Sequence, residues 1–171
     1  FENEIGSRII IEGGKIKKHE ESSTGDGTVM NVKNLFYNVP ARRNFLKSNQ
    51  VEMRHITEEF TRIALANPKI KMQLFHNNNE IIHLTKSNLR QRIVTIIGSR
   101  KNETLVPIEE KTSLVKISGF IGKPELAKKT RGEQYFFVNK RFIKSNYLHH
   151  AISKAFEEFI PQNYFPSYFI N

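Results

Sequence analysis

The spacing of apolar residues changes period once in this chain, and that change sets what it can fold into. Met53, Ile56, Phe60 and Ile63 are separated by 3, 4 and 3 positions, with Ala64 beside them, which is the recurrence of one helical face. Asn49, with Glu52 three residues on, has the pattern of a capping box. Asn67-Pro68 stops this helix, because a residue before proline is pushed out of helical backbone. From Ile70 the period falls to two. Ile70, Met72 and Leu74 alternate with Lys71, Gln73 and Phe75, Asn77-Asn78-Asn79 makes a turn, and Ile81 to Leu84 returns as a second strand. A helix giving way to a fresh sheet marks a domain boundary near residue 68.

The remaining elements follow from turn and cap chemistry. Ile9-Ile10-Ile11, Gly13-Gly14 and Lys15-Ile16-Lys17 predict a β-hairpin, the glycines supplying positive φ. A polar loop from Ser22 to Gly27 leads to an expected strand from Thr28 to Leu35, and Pro40 starts a short basic helix with Arg42 and Arg43. Ser87 or Asn88 caps a helix bearing Leu89, Ile93, Ile96 and Ile97, ended by Gly98. Leu105 to Ile108, Leu114 to Ile121 and Gln134 to Val138 read as strands. Asn139-Lys140 turns tightly into Arg141-Phe142-Ile143. Ser145 caps a last helix with Leu148, Ala151, Ile152, Ala155, Phe156 and Phe159 on one stripe, closed by Pro161. Strands and helices mix without regular βαβ alternation, so the fold class is α+β.

Charge narrows the partner. Lys plus Arg is 27 and Asp plus Glu is 17, a net of +10, which fits a polyanion such as nucleic acid or anionic lipid. The cations cluster. Lys86 to Lys101 holds five basic residues and no acid, and Lys123 to Lys144 holds seven against two. No run approaches the ~20 apolar residues that span a membrane. The absence of Cys leaves no disulfide framework or thiolate metal site and fits a reducing, cytoplasmic setting. Phe1-Glu2-Asn3-Glu4 has neither a basic leader nor an apolar run, so it is not a signal peptide. It reads as the cut or partly ordered start of a fragment.

Local motifs for catalysis are missing. The six His form no ligand pair of the His-Glu-x-x-His kind, and no Gly-x-Ser-x-Gly elbow occurs. Gly25-Asp26-Gly27-Thr28 lacks the Gly-Lys-Ser/Thr ending of a phosphate loop and leads toward a strand rather than a helix. On local evidence it is a Gly-rich turn.

One string carries a resemblance. Gly27-Thr28-Val29 followed by Leu35-Phe36-Tyr37-Asn38-Val39-Pro40-Ala41-Arg42-Arg43-Asn44-Phe45-Leu46 closely resembles the MutL family of DNA mismatch-repair proteins, with Asn44 where the family usually has Lys. The resemblance continues through Glu52 to Asn67 and Leu89-Arg90-Gln91-Arg92-Ile93. It includes Gly119 to Glu125 and Gln134 to Arg141, and so spans nearly the whole chain.

The resemblance implies the C-terminal part of a GHKL ATPase α/β sandwich over residues 1–68. A transducer domain resembling a ribosomal small-subunit protein domain would follow over 69–171, lacking its C-terminal end. It implies ATP and Mg²⁺ as cofactors of a longer parent, with Gly27 and Thr28 beside the nucleotide. The Glu, Asn and Asp motifs of the ATPase are not found here, so the fragment alone is expected to be inactive and to hold no cofactor. It implies sequence-independent binding of single- and double-stranded DNA by Arg42, Arg43, Lys128, Lys129, Arg131, Lys140, Arg141 and Lys144. A MutS-type mismatch recognition protein and a second parent copy, forming a homodimer, are the implied protein partners. Two departures stand out: Lys140 replaces the family's turn Gly, and Asn146 stands where some relatives carry a basic residue. The alternative is a sequence-independent nucleic-acid binder of another family, ribosome-related or another GHKL ATPase.

Overall fold

The computed structural model describes residues 5–171; the expectation for Phe1 to Glu4 lies outside the described residues. The chain forms two compact units, one up to Glu52 and one from Met53 to Asn171.

The first unit is built around the hairpin of β1 (Gly6–Glu12) and β2 (Lys15–Ser22), antiparallel as expected. Gly13 and Gly14 turn it with φ of 57° and 78°. α1 (Pro40–Arg43) has proline in its first turn. The strand expected from Thr28 to Leu35 is not formed: this stretch is irregular, and Val29, Met30 and Val32 are 87%, 84% and 73% exposed. A strand needs a paired neighbour and a face to bury. No described residue up to Glu52 is buried, so nothing repays the ordering entropy.

α2 (Asn49–Ala66) runs across the division between the units. Asn49 is its first helical residue rather than its cap, and Glu52 accepts the backbone N–H of Lys47 at 2.8 Å. The buried side of α2 is Thr61, Ala64 and Leu65, while Ile56 and Ile63 are half exposed. Of the apolar stripe seen in the sequence, Ala64 is buried and Met53 and Phe60 partly so, while Ile56 and Ile63 turn outward and Thr61 and Leu65 take their place on the buried face. Leu65 belongs to the core of the second unit, and the compact units part within this helix, between Glu52 and Met53.

The second unit holds the hairpin of β3 (Met72–His76) and β4 (Asn79–Leu84), turned at Asn77 and Asn78 with φ of 48° and 65°. α3 (Leu89–Ile97) opens with a complete capping box between Asn88 and Gln91. β5 (Leu105–Lys111), β6 (Lys116–Gly122), β7 (Gln134–Val138), β8 (Arg141–Phe142) and β9 (Tyr168–Ile170) form one sheet in the order β5-β6-β9-β7-β8. β9, not read from the sequence, is its central strand, parallel to β7 and antiparallel to β6. Leu65, Ile93, Leu105, Phe137 and Phe169 pack α2 and α3 on one face of this sheet. Because side chains alternate along a strand, Tyr168 points to the other face, where its hydroxyl lies 3.0 Å from Nδ1 of His149 on α4 (Asn146–Ala155). Ser145 caps α4 as expected. Its inward residues are Leu148, His149, Ile152 and Phe156, whereas Ala151, Ala155 and Phe159 are exposed, a rotation from the expected stripe. Pro107 in β5 removes a ladder donor from that sheet edge.

Candidate nucleic-acid interface

The basic residues singled out in the second unit stand at the two ends of β7. Lys140 and Arg141 follow its last residue, Val138, across the turn into β8, and Lys144 precedes α4. Lys128, Lys129 and Arg131 precede its first residue, Gln134. A five-residue strand rises roughly 16 Å, so these are two clusters and not one.

The turn cluster is open. Lys140, Arg141 and Lys144 are exposed, and none of the three makes an ion pair among the described residues. Asn139 and Lys140 have φ of 49° and 65°, the left-handed pair a two-residue hairpin requires. Left-handed backbone is costly for a side chain such as Lys. Lys140→Gly is expected to raise unfolding free energy by about 0.5–1 kcal/mol, read by urea denaturation, while removing a cation from the turn.

The loop cluster is largely engaged within the chain. Lys128 pairs with Glu133, which is buried and also takes Lys101 at 3.4 Å. The Ser167 hydroxyl donates to the other carboxylate oxygen of Glu133 at 2.7 Å. Arg131 lies 4.8 Å from the centroid of Phe165 and Lys129 5.9 Å from that of Tyr164, both cation–π contacts. Lys128 and Phe165 exchange backbone hydrogen bonds of 3.1 and 2.7 Å. Burial pushes the Glu133 carboxyl up, but the Lys128 ammonium and the Ser167 hydroxyl outweigh it and hold the carboxyl below its usual value. A carboxyl depressed in the folded state stabilises the fold above its unfolded pKa, about 4.3, and loses that stabilisation as pH falls through the folded value. Below about pH 4.3 the urea midpoint should therefore fall more steeply in the wild type than in Glu133→Gln.

Burial also presses the His149 imidazole below its usual value, with Arg131 and His150 adding to the effect. Sequence reasoning missed Glu133, His149 and Tyr168, since their partners lie up to 34 positions away in the chain.

In the first unit, Arg42 and Arg43 lie exposed on α1. Gly27, with φ of 131°, and Thr28 lie in exposed irregular chain. Nothing lies within 4 Å of a Cβ placed on Gly27, so these two offer open backbone and one hydroxyl. Among the described residues no group of three His, Asp or Glu could hold a metal ion. That donor set does not by itself fit a Mg²⁺–nucleotide. No described helix is long and apolar enough to cross a membrane.

Known proteins share both this sequence and this fold. Residues 93–171 match the family described as DNA mismatch repair protein, C-terminal domain. The chain is 55% identical over 168 residues to the DNA mismatch repair protein MutL of Christiangramia forsetii, covering 98% of this chain and 27% of that protein. It is 54% identical over 169 residues to the protein of the same name from Flavobacterium psychrophilum, covering 99% and 28%. Among solved structures it resembles the Aquifex aeolicus MutL ATPase domain complexed with ADP, at 25% identity and a TM-score of 0.71, over 99% of this chain and 62% of that one. The chain thus spans about a quarter of the length of these curated relatives. These similarities and the α+β fold place the chain among DNA mismatch-repair proteins, over the stretch that aligns with the Aquifex aeolicus structure. The chain belongs to the MutL family. A ribosome-related or other GHKL protein is not favoured.

Proposed function

We propose that this chain is the sequence-independent DNA-binding and coupling portion of a mismatch-repair protein, relaying mismatch recognition to downstream repair factors. The observation that carries this reading is the β7–β8 turn, where Lys140 and Arg141 project beside Lys144 with no acidic partner among the described residues. In a chain of net charge +10, such cations can exchange counterions for phosphates. In the longer protein, ATP and Mg²⁺ would supply the drive for coupling; Gly27 and Thr28 would border the nucleotide without holding it by themselves. Within the second unit Lys129 and Arg131 add to the DNA surface, and Lys128 does so only as far as Glu133 releases it; in the first unit, taken by itself, Arg42 and Arg43 are the candidate phosphate contacts. A MutS-type recognition protein and a second copy of the parent are the protein partners, and the setting is cytoplasmic.

The test is binding of labelled single- and double-stranded DNA, titrated from low to physiological salt. Binding should fall steeply with log salt. Arg141→Glu should weaken it about tenfold at low salt and lower the salt slope by at least about one. An Arg141→Glu protein that binds like the wild type would remove the turn from the interface.

A further inference from the structure

Among the described residues Glu133 is the only buried acid, and it lies beneath two cations that reach the surface. It is 8% exposed, while the side chains of Lys101 and Lys128 are 30% and 41% exposed. Both ammonium groups close on the same carboxylate oxygen, Lys101 at 3.4 Å, and the Ser167 hydroxyl donates to the other at 2.7 Å. Lys101 comes from the short helical turn Ser99–Thr104, Lys128 from the loop before β7, and Ser167 immediately precedes β9. Three segments distant in sequence thus converge on one point. Two ammonium groups and a hydroxyl form a donor set for an anionic oxygen, and such a set serves phosphate as well as carboxylate. The chain's own carboxylate fills it.

The backbone around this point is fixed. Lys128 exchanges two main-chain hydrogen bonds with Phe165, and Tyr168 donates to the carbonyl of Glu133 at 2.8 Å. Lysine is a point charge on a flexible four-carbon stem, so its ammonium changes partner without moving the loop. If Lys128 swings outward, Lys101 and Ser167 remain on the carboxylate. No buried charge is then left bare, the condition that makes breaking a buried pair so costly. We propose that Glu133 is a built-in competitor for phosphate, which holds Lys128 and Lys101 off a polyanion until phosphate draws Lys128 away. The loop cluster is restrained in this way while the turn cluster stays open. The proposal rests on the nucleic-acid reading above and adds to it a means of regulation and a cation, Lys101, that the reading does not use. It reverses the sign expected of a structural acid: removing the carboxylate improves binding.

The test is a salt titration of a labelled duplex on the full chain, comparing the wild type with Glu133→Gln, which keeps the shape and an acceptor for Ser167 but no charge. Glu133→Gln should bind about three- to tenfold more tightly at low salt, with a salt slope steeper by about one. Adding Lys128→Gln should return both to the wild-type values. Glu110→Gln changes the net charge equally from β5, three strands from β7 in the sheet. That is roughly 14 Å away, beyond the screening length of about 10 Å at 0.1 M salt, so affinity should change by less than about twofold. An unchanged slope in Glu133→Gln, a gain that Glu110→Gln matches, or a gain that survives Lys128→Gln overturns the competitor and leaves the DNA reading standing. Should Glu133→Gln lose cooperative unfolding, the Glu133 carboxyl carbon of the wild type is followed by NMR. It should shift on addition of duplex, and a signal that stays in place overturns the proposal. Failure of both wild type and Glu133→Gln to bind at low salt overturns the nucleic-acid reading as well.

Discussion

Arg92→Ala is expected to cost about 3–5 kcal/mol or to abolish cooperative urea unfolding. Arg92 is only 1% exposed, and Ile93 beside it is fully buried. One of its terminal nitrogens donates to the carbonyls of Pro68, Ile70 and Thr85 at 2.7, 2.8 and 3.0 Å. It thereby ties the chain entering β3 and the chain leaving β4 to helix α3. Pro68 retains the N–H of Ser87 at 3.0 Å if the guanidinium is lost. Ile70 and Thr85 would lose the donor their carbonyls share, at roughly 1–3 kcal/mol for each group left unsatisfied, and a cavity would remain. The guanidinium itself is in an uncomfortable place. Its Nε and Nη1 have no partner among the described residues, and burial lowers its pKa from the ordinary value. Replacing a buried charge by an apolar chain of similar volume often recovers stability, so Arg92→Met should cost about half as much as Arg92→Ala. Equal losses would mean that the three carbonyls dominate. A loss below about 1 kcal/mol for the alanine variant would mean that solvent replaces the clamp.

Gly119→Ala should cost roughly 3 kcal/mol or more, and its origin is the placement of β9. Gly119 has φ of 150°, a region that side chains rarely adopt. A Cβ there would overlap the carbonyl oxygen of Phe169 and lie 3.0 Å from its carbon and 3.1 Å from Cα of Ile170. These are backbone atoms of the central strand, so they cannot swing aside as a flexible side chain would. The variant must push β9 away from β6. The amide of Asn171, which donates to Ser118 at 2.8 Å, should then lose protection in hydrogen exchange, while the β3–β4 hairpin keeps its own. Uniform loss of protection over both would mean global destabilisation without a local displacement of β9.

For the site, the sequence displayed which residues carry charge but not which of those charges are free. Lys128, Lys140 and Arg141 look alike in a list of cations. In the fold, Lys128 neutralises a buried carboxylate while Lys140 and Arg141 face solvent. The separation of the two clusters was equally invisible, because it is set by the length of β7 and by the return of the chain after α4 to Lys128.

What the sequence by itself determined is what its local chemistry encodes. The Gly13-Gly14, Asn77-Asn78 and Asn139-Lys140 turns, a cap at Ser87 or Asn88, the Ser145 cap and the spans of α2 and α3 depend on neighbours a few positions apart. The string from Leu35 to Leu46 likewise pointed to the family that the relatives bear out. Only the tertiary structure decided that Thr28 to Leu35 forms no strand, that α2 buries Thr61 and Leu65 beside Ala64 while Ile56 and Ile63 turn outward, and that Tyr168–Ile170 fills the middle of the sheet. Strand pairing and the choice of a buried helix face depend on partners far along the chain. Three residues such as Tyr168-Phe169-Ile170 carry too short a pattern to announce that the gap between β6 and β7 is theirs.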